Sequence, residues 1–312
     1  MPNDPKVMAR SLRSQLHARG LELTHGECLD IVAQQLGHRD WNVLSARHSL
    51  PAVLRLQREC EWRAMNGTRE IGRITAVRRP DARWYVACDT WFDAVHDALV
   101  SAVARDLAQD LHARADEGDS ESLARYRRAG FAEHRREAEY SIDVADALAA
   151  LGPTEARDFS VVSAADVDDA ELRILDDALR ADVPGCAGWT NDPQEFRENT
   201  FSPNHFDPAA YLVARATDGH AVGLVRIWGG RGPRRLGLIG VLAPHRRRGV
   251  ARTLLREAFA AVGAQGVTAV AAEADTSNVA SQELLRLLGA RRTGGTVELL
   301  RPAAVTVVDA PA

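Results

Sequence analysis

The segment LGLIGVLAPHRRRGVARTLLREAF, residues 236–259, constrains this chain more than any other. The apolar run Leu236–Val241 reads as a strand, Ala243-Pro244 as a turn, and the leucine spacing from Val250 as a helix. A helix that starts directly after a strand presents unpaired backbone N–H groups and partial positive charge, which suits a diphosphate. Gly249 lets backbone approach such a group without a Cβ, and Ala251 keeps the first turn small. Arg246, Arg247, Arg248 and Arg252 add cationic character. A solvated arginine run or a nucleic-acid patch are the competing readings at this point.

Strands are expected around this element at 210–216, 221–228, 267–274 and 297–300, with another near Phe159. Helices are expected over 166–180, 250–262 and 280–288. That order predicts an α/β protein with a mixed, mostly antiparallel sheet and helices on both faces.

The R-x-x-G-x-A pattern at Arg246–Ala251 is followed by DTSNVASQELLRLLGA, in which Asn278, Ser281, Leu284 and Gly289 keep a second spacing. Together they resemble the GNAT N-acyltransferases. The resemblance implies acetyl-CoA as co-substrate and no metal. It assigns the cofactor to Val241, Arg246, Arg247, Arg248, Gly249, Val250, Ala251, Arg252 and Asn278. It also implies direct attack of an amine on the thioester, with the carbonyl polarised by the Val241 N–H. Glu273 and Asp275 alternate onto one face of their strand and are the candidate bases, against a merely structural role. His205 is a further candidate. Ser281 or water is the candidate acid, because Leu285 stands where many members carry Tyr and Ala290 where Phe is common.

A shift of 159 residues places Ala113, Ala115, Asp116, Ser122, Arg127, Gly130 and Glu139 on Ala272, Ala274, Asp275, Ser281, Arg286, Gly289 and Glu298. Such self-similarity, with ESLARYRRAGF ahead of a strand over 133–144, indicates an earlier copy of the same unit. In it, strands are expected at 71–77 and 84–88 and a helix over 92–107. The ungapped shift puts Ala87–Asp93 on Arg246–Arg252, without glycine or arginine and with Asp89 and Asp93 instead. This copy should not bind acetyl-CoA. The expected organisation is a helical module over 1–50, a degenerate GNAT-like domain over 55–150, a catalytic GNAT domain over 156–303 and a tail over 304–312. Leu151-Gly152-Pro153 forms the linker.

The stretch LRSQLHARGLELTHGECLDIVAQQLGHRDWNVLSA, residues 12–46, has helical spacing, with Thr24 and Glu27 forming a capping box. It resembles the N-terminal module of proteins labelled glyoxalase superfamily, without a recognisable metal site.

A net charge of −4 argues against a nucleic-acid partner. Cys28, Cys60, Cys88 and Cys186 are far apart and read as free thiols of a reducing compartment. No apolar run reaches the roughly 20 residues of a membrane span, and the first twenty residues lack a signal-peptide core, so a cytoplasmic protein without a membrane partner is expected.

Residues 182–207 hold Asp182, Asp192, Glu195, Glu198 and Asp207 against Arg197, which points to a cationic amine acceptor. Helix capping by Asp192, Pro193 and Glu195 competes with that reading. The sequence therefore predicts an N-acetyltransferase acting on a small-molecule primary amine. The rival is an acyl-CoA-sensing regulatory or interaction protein. A homo-oligomer is compatible with either.

Overall fold

The computed structural model describes residues 5–41, 44, 52–56, 60–90, 92–153, 158–230 and 232–303. The tail at 304–312, and Val43 and His48 of the helical module, lie outside the described residues.

Helices α1 (Pro5–His17) and α2 (His25–Gln35) pack on each other around Ala9, Cys28 and Val32. The Thr24–Glu27 capping box forms as expected: Glu27 N–H donates to Thr24 Oγ1 at 3.2 Å and Thr24 N–H to Glu27 Oε2 at 2.7 Å.

The first unit runs β1 (Ala52–Leu56), β2 (Glu61–Asn66), β3 (Arg69–Arg78), β4 (Trp84–Asp89), α3 (Asp93–Leu107), β5 (Leu111–Asp116), α4 (Ser120–Arg128) and β6 (Ala132–Asp143). Helix α5 (Val144–Leu151) ends at Gly152, whose φ of +58° terminates it. The second unit runs β7 (Phe159–Ser163), α6 (Asp169–Arg180), α7 (Pro193–Thr200), β8 (Tyr211–Ala216), β9 (Ala221–Trp228), β10 (Arg234–Val241), α8 (Val250–Ala264), β11 (Ala269–Asp275), α9 (Val279–Leu287) and β12 (Arg291–Arg301).

All twelve strands form one sheet in the order β1-β2-β3-β4-β5-β12-β6-β11-β10-β9-β8-β7. Among the described residues, only β4–β5 and β10–β11 pair in parallel. The strand expected over 133–144, placed by sequence in the first unit's 55–150, forms as β6 but does not close that unit. Strand β6 pairs with β11 of the second unit, while β12 slots between β5 and β6. The two units have exchanged their last strands, and each carries apolar residues into the other's core. Ile142 packs with Leu254, Phe259 and Val270, whereas Val297 and Leu299 pack with Leu99, Val103 and Leu111. Burial of apolar surface drives both placements.

Those two cores lie on one face of the sheet. On the other, α6 and α7 cover the second unit through Leu172, Leu175, Leu179 and Phe196 against Tyr211, Val213 and Leu224. Between them the sheet's middle carries alternating charged residues on that face: Arg114, Asp116, Glu298, Arg135, Glu137, Glu139, Glu273 and Asp275.

Candidate functional site

Strands β10 and β11 pair only where Arg234–Leu236 meet Val270–Ala272. Beyond that, β10 bulges between Leu236 and Leu238 and follows β9 to Val241, while β11 follows β6 to Asp275. The sheet thus opens into a fork. Leu242 N–H donates to Val222 O on β9 at 2.8 Å. N–H directions alternate along a strand, so the Val241 N–H points away from β9 and into the fork. The Val241 carbonyl points the same way and accepts Arg246 Nε at 2.8 Å.

Past Val241, a short turn at Ala243–His245 leads to Arg247 at φ +60° and Gly249 at φ +80°. These two left-handed residues swing the chain into α8, whose first residue, Val250, is buried in the core. The first N–H that α8 uses is that of Thr253, bonded to Gly249 O at 3.0 Å. Among the described residues, the N–H groups of Gly249, Val250, Ala251 and Arg252 have no protein acceptor. Four converging donors at a positive helix end fit a diphosphate, and Gly249 is the residue type that adopts this backbone without strain.

The arginines divide by direction. Arg246 bonds Asp182 as well as Val241 O, tying the loop ahead of α8 to the segment after α6. Arg247 is exposed, and Arg248 lies 3.9 Å from Asp158. Arg252 turns away from the loop: its Nε donates to Leu151 O at 2.5 Å, beside Arg256, which donates to Gly152 O at 2.7 Å. Its guanidinium anchors the linker, a use that spacing alone does not reveal.

The other predicted site residues surround the fork with different engagements. Glu273 is the first β11 residue past the pairing with β10, and it bonds Arg235 at 2.7 Å. Asp275 is buried, accepts Ser277 N–H at 2.7 Å and pairs with Arg135 at 3.2 Å, so its carboxylate is committed to the framework. Asn278 caps α9 by accepting Ser281 N–H at 3.1 Å. Leu285 is buried in the core under α8, in the cluster that also holds Val241, Val250 and Leu254. His205 reaches Asn199 O at 2.6 Å and sits edge-on to Trp228, its ring centroid 4.6 Å away.

Most of the acidic residues between 182 and 207 serve the fold. Asp192 caps α7 through Gln194 and Glu195 N–H at 2.9 and 3.0 Å, as the capping alternative expects. Asp207 pairs with Arg234 and Asp182 with Arg246. Arg135, Glu137 and Glu139 of β6 were not expected near this site, because their strand was assigned to the first unit's own closure. Their alternation in HRREAEYS is the available signal, but alternation does not say which unit a strand joins.

The first unit repeats the fork: β4 and β5 pair only at Trp84–Tyr85 with Leu111–His112. Its loop has three residues, 90–92, where the second unit has eight, 242–249. The ungapped shift therefore misaligns this turn, and the deletion removes the loop altogether. In its place Arg125 donates to Thr90 O at 3.2 Å and to Asp93 at 3.0 Å.

Among the described residues no cluster of three or more His, Cys, Asp or Glu could hold a metal, and no helix is long and apolar enough to cross a membrane. Residues 174–290 match the family described as Acetyltransferase (GNAT) family, and residues 2–106 that described as Glyoxalase superfamily protein. The latter match runs beyond the helical module through β1–β4 and most of α3. No curated protein matches the sequence. A GCN5-related N-acetyltransferase from Sphaerobacter thermophilus shares 19% identity, with 97% of this chain and 95% of that chain covered and a TM-score of 0.59. A tandem GNAT protein from the clavulanic acid biosynthesis pathway shares 15%, covering 85% of this chain and 88% of that chain, also at 0.59. Residues 174–290 thus carry the match to the acetyltransferase (GNAT) family, and the chain has the tandem GNAT fold behind a small helical module.

Proposed function

We propose that the protein is a cytoplasmic N-acetyltransferase that moves the acetyl group of acetyl-CoA to a primary amine of a small molecule. The carrying observation is the fork beside four unpartnered N–H groups at Gly249–Arg252. Those amides hold the diphosphate, and the Val241 N–H aimed into the fork polarises the acyl carbonyl. Bound there, acetyl-CoA supplies an activated thioester. Glu273, at the fork and reachable by solvent, is the side chain suited to take the ammonium proton, whereas Asp275 is locked by Arg135. The second unit binds the cofactor alone, since the first lacks the loop.

The test combines calorimetry with acetyl-CoA and CoA-thiol release against a panel of polyamines, amino sugars, amino acids and arylamines. One site per chain and release with at least one amine support the reading. Tight acetyl-CoA binding without release from any amine would instead favour an acyl-CoA sensor, and no binding at all overturns both.

A further inference from the structure

The segment that follows α6 is tied to both arms of the second unit's fork. At its start, Asp182 pairs with Arg246, whose Nε donates to Val241 O at 2.8 Å at the tip of β10. Two residues later, Pro184 O accepts Arg135 Nη1 at 3.0 Å, and the same nitrogen lies 3.2 Å from Asp275 at the tip of β11. Arg83 of the first unit adds a bond to Gly185 O at 3.0 Å. Residues 182–185 thus form a strap across the mouth of the fork. The strap lies on the charged face of the sheet, where α6 packs: a Cβ at Gly240 of β10 would come within 3.0 Å of Leu179 in the last turn of α6. The free N–H groups of Gly249–Arg252 belong to α8, which packs on the opposite face.

The anchors differ in kind. Arg135 is 14% exposed and is held by Glu298 as well as by Asp275. It and Arg83 come from the first unit and grip main-chain carbonyls of the strap. The side chains of Arg246 and Asp182 are 47% and 61% exposed, and an ion pair this open is weak. It is also the anchor that a diphosphate contests. Arg246 stands three residues ahead of Gly249, and two phosphate charges at the start of α8 compete with one carboxylate for its guanidinium. An amide-bearing arm laid in the fork contests its other bond, because the Val241 carbonyl that points into the fork is taken by Arg246. Seating the cofactor and keeping the strap fastened call on the same arginine.

We propose that Arg246 and Asp182 form a latch: cofactor binding takes Arg246 from Asp182 and frees the strap at that end. The strap then swings on Pro184–Gly185, which the first unit's arginines keep in place, and opens the charged face of the fork. An amine comes to the Val241 N–H from that face, because α8 and the loop ahead of it occupy the other. The acceptor side is therefore closed until acetyl-CoA is seated. The inference rests on the acetyl-CoA reading above. It gives the first unit a role after the loss of its own loop, since that unit supplies the fixed end on which the strap turns.

The experiment follows hydrogen–deuterium exchange in the full-length chain, with CoA as the probe and calorimetry to confirm that it binds. Two amides report. The Val183 N–H, bonded to Arg180 O at 2.9 Å, lies at the latch end, and the Trp189 N–H, bonded to Cys186 O at 3.0 Å, lies past the fixed end. Saturating CoA should speed exchange at Val183 at least about tenfold and leave Trp189 unchanged. Asp182→Asn alters an exposed side chain and should fold. Without CoA it should show the Val183 exchange that the wild type shows with CoA. It should also bind CoA about threefold more tightly, the scale of one half-exposed ion pair. Exchange at Val183 that is unchanged or slower with CoA bound overturns the proposal, as does an Asp182→Asn chain with wild-type exchange or weaker CoA binding. Each of these leaves the acetyl-CoA reading standing. A chain that binds no CoA removes both.

Discussion

Arg135 of β6 grips Glu298 of β12 with two hydrogen bonds, from Nε at 3.0 Å and from Nη2 at 2.9 Å. The pair joins the two exchanged strands across the boundary between the units. The same guanidinium donates to Pro184 O at 3.0 Å, and Arg83 of the first unit donates to Gly185 O at 3.0 Å. The first unit therefore braces the segment that follows α6. A Cβ at Gly185, where φ is +82°, would lie 2.5 Å from Arg135 Cζ, so glycine admits the guanidinium beneath that turn.

Glu298 is 2% exposed, and burial alone would raise its pKa. The hydrogen bond from His112 at 3.1 Å and the charge and hydrogen bonds of Arg135 outweigh burial, holding the carboxyl at about 2. A carboxyl held low in the folded state stabilises the fold at pH values above its ordinary value of 4.5. That contribution, roughly 3 kcal/mol, is lost as pH falls from about 4.5 to about 2. Glu298→Gln should lose stability of this order at pH 7 and show a flatter stability profile than the wild type below pH 4.5. Urea unfolding across that window measures the difference, and parallel profiles would remove the assigned role.

Gly249→Asp should lower acetyl-CoA affinity by at least tenfold, about 1.4 kcal/mol. The substitution puts a side chain at φ +80° and a carboxylate beside the four free N–H groups. Calorimetry reads the change, and the melting temperature controls for folding. Unchanged affinity in a folded variant would move the cofactor site elsewhere.

A chain beginning at residue 51 should fold and bind acetyl-CoA within about threefold of the full chain. Helices α1 and α2 bury their apolar residues against each other, in the cluster of Ala9, Cys28 and Val32, and no residue of the fork comes from them. A folded truncation with tenfold weaker binding would show that the helices belong to the site.

The parts of the fold legible in sequence are those set by neighbours in the chain. Strand β9 runs over Ala221–Trp228 as its apolar pattern predicts, and α8 starts at Val250 directly after Gly249. The turn into α8 is local, so a glycine and its spacing suffice to find it. The strand exchange is not local. Ile142, Val297 and Leu299 announce a buried face, but nothing in their alternation says which unit's helices will cover it. Strand β12 starts at Arg291, well before the expected Val297, because Arg291–Gly295 lacks apolar alternation and is held by pairing with β6. The split among the arginines escaped for another reason. Whether Arg252 meets a ligand or the Leu151 carbonyl depends on where α5 ends, and no helix was expected between the strand over 133–144 and the linker Leu151-Gly152-Pro153.

Leu285→Tyr should not accelerate turnover. A phenol close to the sulfur could protonate a departing thiolate, and many family members carry tyrosine at this position. Here Leu285 is 5% exposed and packs in the core cluster of Val241, Leu254 and Phe259. The larger ring has to displace its neighbours, which in a well-packed core costs about 1–3 kcal/mol. Its hydroxyl would also need a partner in an apolar pocket. The thiol, with an ordinary pKa near 8.5, leaves readily without a dedicated acid. Removal of the ammonium proton then limits the rate, which should rise with pH and flatten above the pKa of the base or amine. The expected result is a lower melting temperature, unchanged acetyl-CoA affinity and a rate no higher than the wild type. A folded Leu285→Tyr enzyme that turns over tenfold faster would show that this position reaches the thioester and that thiolate protonation is the slow step.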